Sequence, residues 1–476
     1  MICWLLAALA AFAGVCTAQD QHYWTQQFGT RSHLMGGAVV GGCDDSSAGY
    51  YNPARLGWIE NDSLSVGATL YQMDRFLIRD GAGDNRDIDA FNYRVVPTLA
   101  SGVHIFDFAP RHVFSHLVLA RHYWNNSASA REESREDIIV RNPGEEDYTG
   151  QITIDTSVQE YWLGIAWGWR VTDWLSVGAT AFGAIRIEKL LANVNARAVW
   201  FNPSLGVFET ASVGNDVYVN YFDIRAVLKL GLAFEHEGFK AGVTATAAGM
   251  HIFGQGTASR DLEIINIDTN SNGVGDSLIL NDRQDERPTE YRSPWSFALG
   301  LEYAVAPTGT RIAFSCEYYL SVGTYTLLKP KSAPFFQGVG GNFPGNNDFL
   351  RVRDTREGVF NVAAAVSQHF GNWWLGDWTG YWSFYTDFCA DVPKTGDSIQ
   401  IGMTQWDLYH GITGIALKTE KHELAIGAHF MIGSDNIVGN IDLTSPTEAG
   451  LLFGPGKNTR GVYWSVGLVV GYTYFI

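Results

Sequence analysis

The sequence predicts an all-β protein, a transmembrane antiparallel β-barrel of about 14 strands with an N-terminal hatch in its lumen. Segments of strand length alternate with a period of two, and short connections alternate with long ones. Hydrophobic residues make up 46% of the 476 residues, aromatic residues 13% and charged residues only 17%. No apolar run of about 20 residues follows the N-terminus, so membrane-spanning helices are not expected. A large soluble β protein is the alternative that composition leaves open.

The alternation shows which face of each strand meets lipid. Residues 462–476 place large apolar side chains at every second position and small or polar ones between them. Leu228 and Leu299 likewise lie on apolar faces, whereas Asp223 and Glu302 lie on the opposite, small-residue faces. A soluble sandwich would turn its charges outward, but a barrel in a bilayer turns them inward. We therefore expect the leucines outside and the acids in the lumen.

The connections differ in length on the two sides of the predicted barrel. Candidate strands begin near residues 63, 92, 112, 152, 173, 217, 239, 288, 310, 357, 378, 403, 422 and 461. Short turns are predicted at 108–111, 171–173, 235–238, 306–309, 371–377 and 419–421. Longer loops are predicted near 76–91, 127–151, 190–216, 254–287, 325–356, 392–402 and 435–460. This pattern is typical of periplasmic turns and extracellular loops.

The chain divides into three predicted parts. Residues 1–18 contain a short apolar stretch followed by small residues, which predicts a cleaved signal peptide. Residues 19–62 are rich in Gly, Ala and Ser and lack strand alternation, so we expect a hatch inside the barrel, with a disordered leader as the alternative. Residues 63–476 form the predicted barrel.

The N-terminal part also carries a recognisable motif. It contains GTRS at 29–32, GGA at 36–38 and DDSSAGYYNPARL at 44–56, directly before the first strand. This arrangement resembles the hatch of the long-chain fatty-acid outer-membrane transporter family (FadL-like), which includes the toluene-uptake porins. Together with the strand count and the turn asymmetry, the resemblance extends over the whole chain.

The resemblance implies a function as well as a fold. Members of the family take up fatty acids or other hydrophobic molecules, which bind in the lumen and leave when the hatch rearranges or through a lateral gap between strands. Asn52, Pro53 and Ala54 match the hatch motif. Pro53 has a fixed φ and pushes Asn52 toward an extended conformation, in which its amide can satisfy backbone groups of the hatch. A plain turn before the first strand is the alternative.

Candidate ligand and metal residues are few. Arg225 and Lys229 lie on a predicted lumen face and could hold a carboxylate head group, although pairing with lumen acids such as Asp223 is the alternative. Residues 268–276 resemble the first half of a calcium loop. Its candidate ligands are Asp268, Asn270, Asn272 and Asp276, but Ile279 stands at the twelfth position, so a plain turn is the alternative.

Several function classes are excluded or disfavoured. The net charge of −17 gives nucleic acid no basic surface to bind. No catalytic motif is present, so we expect no enzyme and, apart from a loop calcium ion, no cofactor. His104, His116 and His122, on consecutive candidate strands, favour polar lumen positions over a metal site. The expected partners are a hydrophobic ligand and outer-membrane lipid, and the expected form is a monomer. A protein-secretion partner and a general porin remain competing functions.

Overall fold

The fold comes from a computed structural model of the chain. The structure describes residues 22–340, 346–390, 406–437 and 441–476. The predicted signal peptide, residues 1–18, lies outside the described residues.

Among the described residues, helices occur only in the N-terminal part of the chain. Helix α1 covers Arg31–Leu34, α2 covers Ala48–Tyr51, and a 3-10 helix covers Pro53–Trp58. Within the described part of the chain, no helix is long and apolar enough to cross a bilayer.

Strands make up most of the remaining chain. They are β1 Ser63–Ile78, β2 Ile88–Ile105, β3 His112–Glu136, β4 Glu146–Arg170, β5 Leu175–Asn202, β6 Val207–His236, β7 Phe239–Thr246, β8 Met250–Ile267, β9 Asp276–Pro288, β10 Ser296–Val305, β11 Thr310–Tyr319, β12 Val322–Leu328, β13 Gln337–Val339, β14 Val352–Arg356, β15 Val359–Trp373, β16 Gly376–Asp387, β17 Leu408–Lys418, β18 His422–Ile437, β19 Asp442–Thr447, β20 Phe453–Gly454 and β21 Thr459–Phe475.

The strands close into an antiparallel barrel, as predicted. Among the described residues, fourteen strands follow one another around the wall in the order β1–β2–β3–β4–β5–β6–β7–β10–β11–β15–β16–β17–β18–β21, and β21 pairs with β1. The amide of Ile476 donates to the carbonyl of Asp62, so both ends of the barrel chain lie on the short-turn side. Each of these fourteen strands is paired on both sides, which is how a sheet satisfies its backbone groups in lipid.

The predicted orientation of the two strand faces is confirmed. Leu228 and Leu299 are 41% and 43% exposed on the outside, whereas Asp223 and Glu302 are 0% and 3% exposed in the lumen. Other exposed apolar residues lie on the outer face of the wall strands, toward the short-turn side, and form an outer belt. Among them are Leu64, Val66, Leu163, Ile165, Leu230, Leu232, Leu301, Phe314, Ile415, Ile426 and Leu468. Such a belt is typical of a barrel that spans a bilayer.

Several of the predicted long loops are wrong, because the strands continue through them. Segments 127–151, 190–216 and 254–287 belong largely to strands β3 to β6, β8 and β9. Strand β6 alone has 30 residues, about 100 Å of chain at about 3.3 Å per residue, whereas about 9–11 residues cross a bilayer. The surplus length extends the wall beyond the belt on the long-connection side.

The polarity of the wall reverses where the strands leave the belt. In the belt, Leu228 and Leu230 point outward from β6 and Arg225 points inward. Nearer the N-terminal end of the same strand, beyond the belt, Asn220 points outward and Val219 points inward. Inward and outward residues keep alternating along the strand, so the wall itself has not turned over. The environments have changed instead: the outer face of this part suits water where the belt suits lipid, and the inner face lines an apolar core where the belt lines a polar lumen. We call this part of the wall the extension.

Inward-folded segments fill the extension. Ile139, Leu327, Leu350 and Leu452 come from connections between wall strands and pack with Val219 in one buried apolar cluster. The connecting segments at this end therefore contribute apolar side chains to the core.

The N-terminal segment occupies the lumen below this core, as expected of a hatch. Phe28, Leu34 and Leu56 are fully buried and pack against inward-facing wall residues in a second cluster. The 3-10 helix contacts strands β3 to β6, while α1 contacts β16, β17, β18 and β21. The hatch therefore spans the barrel from one side of the wall to the other.

Candidate functional site

The Asn52–Pro53–Ala54 motif fastens the hatch to the wall. The Oδ1 atom of Asn52 accepts a hydrogen bond from the Ala54 amide at 3.1 Å, and its Nδ2 group donates to the carbonyls of Val40 at 2.9 Å and of Leu232 at 3.2 Å. Asn52 has the extended conformation, with φ −154° and ψ 102°, expected of a residue before proline. Its side chain therefore joins two parts of the hatch to strand β6.

Glycines on neighbouring strands make room for this contact. Gly178 pairs with Gly231 across β5 and β6, and Gly168 pairs with Gly178 across β4 and β5. A Cβ atom on Gly178 would overlap the backbone of Pro53 and Ala54, and one on Gly231 would overlap the Asn52 side chain. The hatch backbone thus lies directly on the wall backbone along this stripe.

The first described residues of the hatch cross the lumen. The Asp387 carboxylate accepts hydrogen bonds from the amides of Tyr23 and Trp24, at 3.0 and 2.8 Å, and from the Thr25 hydroxyl at 2.7 Å. On the far side, the carbonyl of Tyr23 accepts a hydrogen bond from Arg121 of β3. Residues 22–25 are therefore held at both sides of the wall.

A small cavity lies between this segment and the wall. It has a volume of about 40 Å³. Its lining combines aromatic rings with buried charges: Tyr23, Tyr50, Arg121, His122, Glu160, Trp162, Val227, Lys229, Thr246, Ala247, Tyr291, Ser293, Pro294, Ser296, Glu317 and Tyr319. We call it the lumen cavity. Both hatch and wall contribute to it, so movement of the hatch changes its size.

Lys229 and Arg225, the two predicted ligand residues, have different surroundings. Lys229 lines the lumen cavity, and its Nζ atom lies 4.8 Å from the centre of the Tyr50 ring. Arg225 forms ion pairs with Glu160 at 2.9 Å and Asp223 at 3.6 Å. Arg225 therefore already has carboxylate partners, the alternative considered from the sequence, and ligand binding by either residue stays a prediction.

Arg225 belongs to a buried network around Tyr291. The guanidinium groups of Arg186, Arg225 and Arg356 lie 4.3, 4.3 and 4.5 Å from the centre of the Tyr291 ring. Carboxylates balance these charges: Arg186 pairs with Glu160 and Glu188, and Arg356 pairs with Asp354. This network separates the polar lumen from the apolar core of the extension.

Tyr291 marks a break in the wall. Below it, Ser296 of β10 pairs with Thr246 of β7, and above it Pro288 of β9 pairs with Gln255 of β8. Between these pairs the segment 290–294 leaves the wall ladder, and the amides of residues 290–292 bond to the Leu327 carbonyl, to the Asp223 side chain and to the Tyr325 hydroxyl. The break, which we call the wall gap, leaves Met250, Ile252 and Phe253 exposed at its edge.

The wall gap lies in front of the lumen cavity. Ala247 of the broken β7–β8 strand and Pro294 of the broken β9–β10 strand line the cavity. Strand β6 pairs with β7 below the gap and with β8 above it. Its residues 226–229 therefore lie opposite the gap, at the level of the exposed Leu228. The gap is therefore at the level of the apolar belt and beside the cavity, and the Gly249 amide donates a hydrogen bond of 3.0 Å to the Ser293 hydroxyl across it.

A second cavity, of about 190 Å³, lies at the short-turn end between hatch and wall. Ion pairs cross it: Arg31 of the hatch meets Glu423 of β18 at 2.9 Å, and Asp44 of the hatch meets Arg311 of β11 at 2.9 Å. Another ion pair joins Arg55 to Glu235 of β6 at 2.8 Å. At the short-turn end, the hatch is thus held to the wall by ion pairs.

The predicted calcium loop lies at the end of the extension, between β8 and β9. The Asp268 carboxylate accepts hydrogen bonds from the amides of Asn270, Asn272 and Gly273, and Asp276 accepts from Thr269 and from the Asn270 side chain. Both carboxylates therefore order the loop itself. Among the described residues, no group of three or more His, Cys, Asp or Glu side chains is placed to hold a metal ion, and calcium binding stays a prediction.

The three predicted histidines do not form one group, and the expected lumen position is wrong for two of them. His104 and His116 stack, with 3.1 Å between their ring nitrogens, on the outer side of the wall. His122 is buried and lines the lumen cavity. The sequence analysis missed a different pair, His410 and His429 in the lumen, 3.0 Å apart on β17 and β18. Their positions on the small-residue faces of two adjacent strands were the available signal.

Comparisons with known proteins show what the chain is similar to. No family model and no curated protein sequence matches it. Among solved structures it resembles a FadL homologue of Pseudomonas aeruginosa, with a TM-score of 0.55 and 12% identity over 95% of this chain and 99% of the other. The toluene transporter TodX of Pseudomonas putida has a TM-score of 0.55 and 13% identity, covering 94% and 99%. The toluene transporter TbuX of Ralstonia pickettii has a TM-score of 0.51 and 12% identity, covering 94% and 98%. The resemblance read from the hatch motif is thus confirmed at the level of structure: the chain has the fold of the FadL-like transporters.

Proposed function

We propose that this chain is a monomeric bacterial outer-membrane transporter that takes up hydrophobic small molecules, of which long-chain fatty acids are one candidate class. The ligand binds in the lumen and is released when the hatch rearranges or through the wall. The observation that carries the proposal is the wall gap, where the strand pairing stops at the level of the apolar belt beside Ala247 and Pro294 of the lumen cavity.

The gap provides a route that avoids water. A hydrophobic molecule gains about 25 cal/mol for each Å² of apolar surface removed from water. A ligand that moves from the cavity past Ala247 into the bilayer keeps that gain, whereas a ligand that enters a water-filled pore loses it. The buried core of the extension and the hatch also favour this route over an open polar channel.

Hatch movement is the second element of the proposal. Tyr23 and Tyr50 of the hatch line the lumen cavity, so a ligand of any size contacts the hatch. Displacement of residues 22–25 would release their hydrogen bonds to Asp387 and enlarge the cavity. The similarity to toluene transporters supports monoaromatic hydrocarbons as a second candidate ligand class.

Uptake by cells that express the chain tests this function. Cells with the wild-type chain should accumulate radiolabelled hexadecanoate or toluene faster than cells with an empty vector. Ala247→Trp should abolish most of that gain, because the indole would fill the gap side of the cavity. Ala245→Trp, at an outward-facing position of β7 just before the break, is the matched control and should retain uptake. Equal uptake by wild type and empty vector, with both proteins folded, would contradict the proposal.

A further inference from the structure

The lumen cavity already holds an aromatic ring from the hatch. Tyr23 stacks on Tyr319 of β11, with ring centres 4.0 Å apart and planes 9° apart. Separate hydrogen bonds hold its backbone, from its amide to Asp387 and from Arg121 to its carbonyl. The slot against Tyr319 therefore accepts a flat ring in a nearly parallel stack.

The acids that line the cavity already have donors. Glu317 accepts hydrogen bonds at 2.6–2.9 Å from Trp24, Ser296 and Tyr319. Glu160 accepts one from Trp162 at 2.6 Å and pairs with the Arg186 and Arg225 guanidinium groups. Neither carboxylate therefore needs a donor from a ligand.

Lys229 differs from these acids. It is 5% exposed, and among the described residues its ammonium group makes no hydrogen bond or direct ion pair, although the nearby charge of Glu317 acts on it. Its contact with the Tyr50 ring is a cation–π contact. A buried ammonium group without an acceptor is costly, so this side of the cavity favours a ligand that brings a negative charge or a strong acceptor.

The size of the cavity also restricts the ligand. Its free volume of about 40 Å³ is below the roughly 150 Å³ of a cavity that binds benzene. A single ring fits if it takes the place of the Tyr23 ring. A long acyl chain would require much more of the hatch to leave the lumen.

We propose that the lumen cavity selects a compact aromatic carboxylate, whose ring replaces Tyr23 against Tyr319 and whose carboxylate meets Lys229. Tyr23 then acts as a tethered substitute for the ligand, and its displacement couples binding to movement of residues 22–25. This inference rests on the proposed uptake function and narrows its ligand class.

Benzoate and toluene form a matched pair of probes, because they share a ring and differ by a carboxylate in place of a methyl group. Calorimetry on the full chain in detergent micelles should show tighter binding of benzoate. Lys229→Met should weaken benzoate binding about ten- to hundredfold and change toluene binding little. Lys229→Arg should restore most of the benzoate affinity. Lys189→Met, at an exposed outer position of β5, should change neither.

Tyr23→Ala tests the displacement directly. Because the slot is then vacant, benzoate and toluene should both bind more tightly than to the wild type. Three results would each overturn the aromatic-carboxylate inference. They are weaker benzoate binding by Tyr23→Ala, unchanged benzoate binding by Lys229→Met, and a preference of the wild type for hexadecanoate. If the wild type binds none of the three compounds, the proposed uptake function itself fails.

Discussion

The side-chain amide of Asn52 in the hatch donates a hydrogen bond of 3.2 Å to the carbonyl of Leu232 in wall strand β6. That carbonyl is reachable because Gly231 and its neighbour Gly178 carry no side chain on the lumen face. Hatch and wall are thus joined by backbone contact along a stripe, and the position of the hatch depends on residues that are far from it in the sequence.

Substitution of the glycine stripe should displace the hatch. In Gly178→Ala the new methyl group would overlap the backbone of Pro53 and Ala54, which cannot rotate away, so we expect a cost of about 1–3 kcal/mol to hatch docking. Single-channel conductance in planar bilayers should rise, and amide exchange of the hatch should accelerate. Gly183→Ala is the matched control on the same strand, because a Cβ there meets nothing within 4 Å. Equal behaviour of the two variants would contradict the tight seating of the hatch.

The reversal of polarity along β6 predicts where the bilayer ends. Leu230→Lys places a charge in the belt and should cost about 2–4 kcal/mol of folding free energy in lipid. Asn220→Lys, ten residues earlier on the same face, lies in the extension and should cost less than about 1 kcal/mol. Reversible unfolding in lipid vesicles measures both. A large cost for Asn220→Lys would show that the belt continues into the extension.

The orientation of the strands could be predicted from the sequence, but the reversal could not. Both zones of β6 keep a period of two, so Leu228 and Asp223 were assigned correctly, while residues 207–216 of the same strand were assigned to a loop. The change of inward residues from Arg225 to Val219 was the available signal. This change can be interpreted only when the inward face of the strand is known, and the inward face is defined by closure of the barrel.

The lumen cavity was beyond prediction for a related reason. Tyr23 and Tyr319 are 296 residues apart, and their stacking depends on the register of β11 and on the path of the hatch. The hatch motif identified where Asn52 would act, because proline and asparagine have local backbone preferences. It contained no information about which wall residues the rest of the hatch would meet.

The buried network around Tyr291 predicts a large loss of stability on neutralisation of an arginine. Arg186→Met would leave Glu160 and Glu188 without their shared partner, so we expect a loss of about 3–5 kcal/mol in unfolding free energy. Chemical unfolding in micelles should show a lower midpoint. Arg197→Met, at an exposed position on the same strand, should shift it little. Equal midpoints for the two variants would argue against a structural role of the network.

Acidification should loosen the hatch through His33. This residue of α1 is buried without a hydrogen-bond partner for Nδ1, and its ring lies 6.4 Å from that of His429, which itself contacts His410 and Tyr385. Burial, and next the nearby His429, lowers the pKa of His33 from 6.5 to about 3. Between pH 3 and pH 6.5, His33 therefore binds more protons when the hatch is undocked than when it is docked. The free energy of docking weakens progressively as the pH falls below 6.5, by up to about 1.4 kcal/mol per pH unit.

Amide exchange of the hatch at pH 6.5 and pH 5 measures this effect, because most carboxylates stay ionised in that range. After correction for the intrinsic pH dependence of exchange, protection of α1 should fall at pH 5 in the wild type. In His33→Gln it should fall much less, since a side chain that cannot take a proton removes the linkage. His236→Gln, at the exposed end of strand β6, is the control and should behave as the wild type does. Identical pH dependence in the wild type and in His33→Gln would rule out His33 as the acid-sensitive contact.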